Sequence, residues 1–424
     1  MSELRTYSIS GVGGTVVDFP TGVSGFTGPP KVLSFDPKPQ STGKKIENLQ
    51  IQITFDQAIQ FSGISTIYLR EGSASGSIVD SFDINSSRRS IAKNILTLEP
   101  LILEFNTTYY LTIPSDIIRN PQGSYYQGTE DYFFTTDSFS AVGGDASFKI
   151  SDSNSPTGYY QYHVFTSTGI LTTTSPTLNV NFETLMVAGG GGGGGDPAAP
   201  FVNAGSGGGG GGVLYFDAVN NELIIPTGSH TVTIGAGGAA LSGDGSDTTL
   251  ATPSATYTSF GGGGGGSGST PAINDAAQGR SGGSGGGSGG IGTSFGYYAQ
   301  GNSGGLNIGG GGGSGAVGSD GPGGNGGDGN LFVGFSSSIL GPYVPTLATP
   351  DIGLGYYAGG GGSPADGLGG KGGGGAGALS SPGLDPAGSG TTNTGGGGGG
   401  HTRANAGSGG SGVCIIRYSV PSNY

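Results

Sequence analysis

The sequence has no tryptophan, 2 methionines and 1 cysteine, and charged residues make up only 10% of it. Cys414, in GVCIIRYSV, is alone, which excludes an internal disulfide framework; its apolar neighbours make it a buried strand residue rather than a reactive thiol. The formal net charge is −13, and between Ala188 and Gly412 only Arg280, Lys371 and Arg403 are basic. Phosphate binding needs clustered Lys and Arg, so no nucleic acid is expected as a partner. No apolar run approaches the roughly 20 residues that cross a bilayer, so no membrane insertion is expected. The start, MSELRTYSIS, lacks a basic-then-apolar signal, which points to synthesis in a cytoplasm.

Catalytic patterns are equally sparse. His163, His230 and His401 are the only histidines, and each sits in a strand or turn context without an adjacent acid–nucleophile motif. There is no H-E-x-x-H, and no G-x-S-x-G in a strand–helix context. Lys371, in GGKGGGG, is followed by Gly rather than Ser or Thr, so there is no phosphate loop. The stretch GGNGGDGNL at 323–331 approaches a calcium-binding nonapeptide around Asp328, but Asn330 takes the apolar position and the repeat occurs once. No reaction, metal or cofactor is expected.

What is abundant is glycine: 98 of 424 residues, 82 of them between Ala188 and Gly412. The chain therefore divides into an ordinary first part and a glycine-dominated second part. Residues 1–30 mix Gly, Pro, Ser and Thr without a sustained period, as a tail does or an arm that orders only against a partner. From Lys31 to Asp137, NLQIQITFDQAI, STIYLRE, NILTLEP and TTYYLTIP alternate at period two between turn-formers such as SASG and NPQG. This spacing predicts an Ig-like β-sandwich over 31–137. The order of these pieces, from Pro37 to the closing YFFTT, resembles the Ig-like modules of bacterial surface-layer and adhesin proteins.

In 138–424, scaffold strands are expected at about 146–188, 213–234 and 412–420, with NELIIP among them, and 189–411 is expected to hold glycine rods and loops. The glycine clusters, at 189–195, 207–212, 261–266, 282–290, 309–313, 323–329, 359–362, 372–377 and 395–400, have similar lengths, which a flexible linker does not require. Glycine has no side chain to bury and loses the most backbone entropy on ordering, so only backbone hydrogen bonds and very close packing can compensate. A polyproline-II-like helix supplies both, because its N–H and C=O groups point outward and no Cβ separates neighbours. The expected fold class is all-β: an Ig-like sandwich, then a β-sandwich scaffold carrying a polyglycine-II bundle.

HVFTSTGILTTT, ETLMVAGGGGGG, SHTVTIGAGGAA and GGSGVCIIRYSV resemble a glycine-rich module of bacteriophage structural proteins. Similar polyglycine bundles occur in distal tail-fibre adhesins of T-even-like phages, whose variable end loops touch the host receptor. The resemblance implies a virion protein, with residues 1–30 as an attachment arm to other virion proteins. The host partner would be a surface polysaccharide or an outer-membrane protein. Fibrous virion proteins are often trimeric, so a homo-oligomer is expected, although no heptad repeat enforces it. An alternative is a structural decorating fibre or tail connector without a receptor. The receptor-contact candidates are the aromatics of the long insertions: Phe295, Tyr297, Tyr298, Phe332, Phe335, Tyr343, Tyr356 and Tyr357. Such side chains cover much area at low entropic cost.

Overall fold

The computed structural model describes residues 28–44, 49–101, 103–137, 139–156, 158–174, 180, 182–196, 205–217, 223–267, 278–289, 294–297, 299–350, 353–378 and 385–420. The expected attachment arm lies almost wholly outside the described residues. The chain forms two compact units, Met1–Asp137 and Ser138–Tyr424.

In the first unit the alternation seen in the sequence becomes two main sheets, beside a two-stranded ribbon of Gln60–Phe61 with Ile118–Arg119. One orders Val32–Asp36, Ile51–Phe55, Ile95–Leu98 and Arg89–Ala92; the other orders Ser41–Lys44, Thr129–Thr136, Thr108–Ile113, Ile67–Glu71 and Ile78–Phe82. Their inward side chains, among them Ile51, Ile53, Phe55, Leu69, Leu96, Leu111 and Phe134, form a single core. Asp80 is clamped by Arg88 at 2.6 Å and accepts the Leu101 amide at 3.0 Å.

The second unit is built on two five-stranded antiparallel sheets. The long-strand sheet orders Ala146–Ser151, Tyr159–Phe165, Val413–Val420, Glu183–Val187 and Val213–Phe216. The threonine-rich sheet orders Ser140–Val142, Gly169–Thr174, Gly228–Thr233, Thr248–Ala251 and Thr256–Ser259. They pack face to face: Phe139 meets Tyr418 with ring centroids 5.1 Å apart, Phe216 meets Tyr257 at 5.2 Å, and the Thr248 hydroxyl donates to the Val187 carbonyl at 2.9 Å. The other face of the long-strand sheet is covered by residues 330–357, which carry a short ribbon, Asn330–Leu331 with Tyr356–Tyr357, and the helix Ser337–Leu340. Burial on both faces explains why Val413–Val420 is apolar almost without alternation.

Two expectations need correction. Residues 189–411 are not rods and turns alone: Thr248–Ala251 and Thr256–Ser259 extend a sheet, and 330–357 form a packed layer. The described part of NELIIP, residues 223–226, is not a strand; it makes one bridge, Leu223 to Phe182, because Pro226 and its turn lead directly into Gly228–Thr233.

The glycine runs are extended segments that leave the sheets and return, each paired to several others by backbone hydrogen bonds. In the first run, the amides of Gly189, Gly190 and Gly191 donate to Ser246, Gly410 and Gly209 at 3.0, 2.9 and 2.8 Å. Those of Gly192, Gly193 and Gly194 donate to Gly243, Gly407 and Ser206, each at 2.8 Å. The same three segments are thus met again after three residues, at partner positions three lower, so they run antiparallel. The carbonyls accept from three further segments running parallel: Gly262 and Gly265 bond Gly189 and Gly192, Gly238 and Ser242 bond Gly190 and Gly193, and Gly398 and His401 bond Gly191 and Gly194. Three donor targets and three acceptor sources surround one rod. The runs at 207–212, 359–362 and 396–400 share this cross-bonding. Where Gly367–Lys371 reverses into the next rod, Gly372 and Gly373 hold φ of 95° and 90°, which L side chains rarely adopt.

A Cβ built on Gly192 would press into the Ala239 carbonyl, and one on Gly263 into that of Arg280. Gly192→Val or Gly263→Val is therefore expected to abolish cooperative unfolding of the second unit in calorimetry and to strip amide-exchange protection from the rods. Ser284→Gly, which removes a buried hydroxyl without a partner among the described residues, is expected to leave both intact.

All three histidines lie in the second unit, each nearly or wholly inaccessible. Burial lowers the pKa of His163, His230 and His401, against the opposing carbonyls of Gly143 and Pro226 at the first two. Below the unfolded value of about 6.5 the unfolded chain binds more protons than the folded one, so stability is full above that pH and declines as pH falls from it toward the folded values. The melting temperature of the second unit should drop between pH 7 and pH 5, with the histidine-free first unit as internal reference.

Candidate binding surface

The direction of the rods decides where loops can present side chains. Ala188, Gly212, Phe260 and Gln300 lie at one level, linked by Ala188 N to Gly212 O at 3.1 Å, Gly212 N to Phe260 O at 2.7 Å and Val213 N to Gln300 O at 3.0 Å. This is the sheet end of the rods. The turns at the far end, such as 240–243, 304–309, 319–325, 363–367 and 401–407, carry no Phe or Tyr among the described residues. All the described receptor-contact candidates lie at the sheet end.

Within that end the candidates divide. Phe335 and Tyr357 are buried in the core of the long-strand sheet, 1% and 0% exposed, together with Leu340 and Leu347. They are packing residues, which corrects the expectation that they meet a receptor; the long insertion folds back because its apolar residues find the uncovered face of the sheet. Phe332 packs against the same core, and Tyr343 stacks on Phe148 with centroids 4.0 Å apart while keeping one face in solvent. Tyr356 is half-buried, with the Lys371 ammonium 5.3 Å from its ring centre. Lys371 also pairs with Asp328 at 3.4 Å, and the other Asp328 oxygen accepts the Lys371 amide at 2.9 Å, so this carboxylate ties two rods together. Tyr298 lies outside the described residues.

Arg417 fastens the layer. Its guanidinium donates to Glu183 at 2.7 Å from Nε and to the Tyr162 hydroxyl at 2.9 Å, and Tyr162 in turn donates to the Gly334 carbonyl at 3.1 Å. It lies 4.3 Å from the ring centre of Tyr160 and 4.9 Å from that of Phe335. Arg417 and Glu183 face each other in register across adjacent strands.

Phe295 and Tyr297 are the most exposed of the described candidates, at 62% and 51%, with Tyr343 next at 47%. They alternate on an extended segment, so they share a face. That segment is held by the Tyr297 amide on the Gly282 carbonyl at 2.8 Å and the Phe295 amide on the Ser281 hydroxyl at 3.1 Å. Tyr297 meets Phe260 with centroids 4.8 Å apart and planes tilted by 44°. The Gln300 side chain accepts the Phe260 amide at 2.9 Å and donates to the Thr258 carbonyl at 3.0 Å, which locks this loop onto the edge of the threonine-rich sheet. Phe260 was missed in the sequence because it abuts a glycine run. The available signal was TYTSF, where Thr256, Thr258 and Phe260 fall at period two on one face.

Comparison with known families places both units. A glycine-rich domain model matches residues 166–419. The chain belongs to this glycine-rich domain family. A bacterial Ig-like domain model matches residues 27–136. Among solved structures, the FN1–FN3 domains of chicken CNTN1 align at 8% identity and a TM-score of 0.16, covering 55% of this chain. The chain spans 65% of the length of that structure, and a likeness this low carries no argument. No curated protein matches.

Removing one partner of a buried pair leaves the other charge stranded. Arg417→Ala is expected to destabilise the second unit by about 3–5 kcal/mol in denaturant titration. Arg417→Met combined with Glu183→Leu should recover most of that loss.

Proposed function

We propose that the chain is a bacteriophage virion protein, a tail-fibre component that holds an adhesive surface rigidly against the host cell. In this reading the second unit is a polyglycine-II bundle, and the observation that carries it is the three-residue cycling of amide partners around Gly189–Gly194, with six neighbouring segments. Three residues per turn with outward donors is the geometry of that helix, and six neighbours is hexagonal packing. A body bonded in every lateral direction resists bending, so groups fixed to it meet a surface without loss of loop entropy. The exposed pair Phe295 and Tyr297 supplies such groups. A homo-oligomer, a trimer in the expected form, would multiply weak contacts into avidity.

A second reading is favoured by a specific observation. Phe335 and Tyr357 are consumed in packing and the far-end turns lack Phe and Tyr among the described residues, which suits a decorating fibre or connector without a receptor of its own. Adsorption competition separates the two. Purified full-length chain added to host cells should reduce adsorption of the phage that carries it, and electron microscopy with an antibody to the chain should label the tips of tail appendages. Unchanged adsorption together with labelling confined to the capsid or tail interior would sink the adhesive reading.

A further inference from the structure

Five strands of the second unit, Ser140–Val142, Gly169–Thr174, Gly228–Thr233, Thr248–Ala251 and Thr256–Ser259, contain no Asp, Glu, Lys or Arg, although the chain carries a formal net charge of −13. Their inward side chains, Leu171, His230, Val232 and Leu250, are buried against the neighbouring sheet. The outward ones are mainly threonines. Register places Thr233 beside Thr249 and Thr249 beside Thr258, and the next outward position on the last strand is Phe260. A second row sets Ile170, Thr231, Ala251 and Thr256 side by side. Strands lie about 4.8 Å apart and outward residues about 6.7 Å apart along each, so the face is a regular array of hydroxyls and methyls. The aromatic pair of Phe260 and Tyr297 stands at its edge, with exposed Phe295 two residues from Tyr297 on the same extended segment.

We propose that this face and its aromatic edge form a platform for a neutral polysaccharide chain. The proposal rests on the adhesive reading for its setting and names the ligand class that reading leaves open. The apolar C–H face of a sugar ring stacks on an aromatic face, while its hydroxyls need partners that both donate and accept, which threonine hydroxyls do. Threonine side chains are stiff about χ1, so little rotamer freedom is lost on contact. The tilt between Phe260 and Tyr297 makes a shallow trough rather than a flat stack, and Gln300 holds it in place from both sides. Charge selects the ligand further. The array offers no cation to an acidic glycan, and the carboxylate beside Phe260 is that of Asp247, whose Oδ1 accepts the Gly261 amide at 2.8 Å. A polyanion would meet the Asp247 carboxylate at that edge, and the five strands supply no cation to offset it, the nearby Arg280 being paired with Asp244 at 3.1 Å.

The full-length chain run through native gels containing dissolved neutral glucan, mannan or galactan should be retarded by at least one of them, and not by a polyuronate. Phe295→Ala and Tyr297→Ala should each weaken that retardation by about five-fold or more, with the circular dichroism spectrum unchanged. Thr231→Glu, on an exposed strand position, should weaken it as well. The proposal fails if no neutral polysaccharide retards the protein, or if retardation is the same in all three variants. It also fails if sedimentation shows a dimer that Tyr297→Ala dissociates, since the platform would then be covered by a second copy. Binding of the wild-type chain to whole host cells without any glycan retardation overturns the platform and leaves the adhesive reading standing. Retardation without cell binding supports the platform and removes the adhesive reading.

Discussion

The second unit depends above all on one exclusion: at nearly every glycine where rods touch there is no room for a Cβ. An atom added at Gly190, Gly193, Gly208 or Gly397 would lie inside the carbonyl group of another rod. That closeness lets backbone amides and carbonyls of separate segments bond directly, and it lets one rod have partners on every side. A sheet cannot do this, because its strands bond in one plane only. Each hydrogen bond contributes a net of about 1 kcal/mol, and ordering each residue costs about 1–2 kcal/mol of backbone entropy. Hydrogen bonding alone therefore leaves a rod short, and the remainder comes from dense packing of bare backbone. A rod stripped of its neighbours has neither, so the bundle forms as a whole.

The sheets make such a body reachable from an unfolded chain. Rods leave from strand ends at Val187, Thr233 and Ser259 and return into strand starts at Val213, Thr248 and Val413, so the sandwich fixes where each rod begins. Ordinary apolar burial anchors one end of a structure that has almost no side chains to bury. The layer at 330–357 completes that anchor by covering the free face of the long-strand sheet, with the Arg417–Glu183 pair beneath it. The exposed aromatics stand near this rigid junction, where a binding group loses least by being fixed.

Much of this was legible in the residues, for identifiable reasons. Period-two alternation marked the strands of the first unit, such as Ile51–Phe55 and Thr108–Ile113, because each has one wet face. Repeated glycine clusters of similar length pointed to ordered rods. Thr248–Ala251 and Thr256–Ser259 escaped notice because threonine and serine dominate them and only Leu250 signals a core side. The role of 330–357 was misjudged because aromatic residues read alike whether they face solvent or a sheet. What separates Phe335 and Tyr357 from Phe295 and Tyr297 is the apolar face left open by strands far away in the chain, and no local pattern carries that. The partners of individual glycines were beyond reading altogether, since identical residues offer no address.

The cycling of partners every third residue also constrains how such a chain can change length. Deleting one glycine inside Gly189–Gly194 would shift the remainder of the rod by one place in that cycle, handing each amide to the wrong neighbour at once. Removing three would shorten the rod by one full cycle of partners and restore every assignment. Within rods the backbone is thus read in triplets, whereas the stretches between them are not bound to that three-residue cycle. Lineages of this module should drift freely in loop length and in steps of three within the glycine runs, a frame imposed by folding rather than by translation.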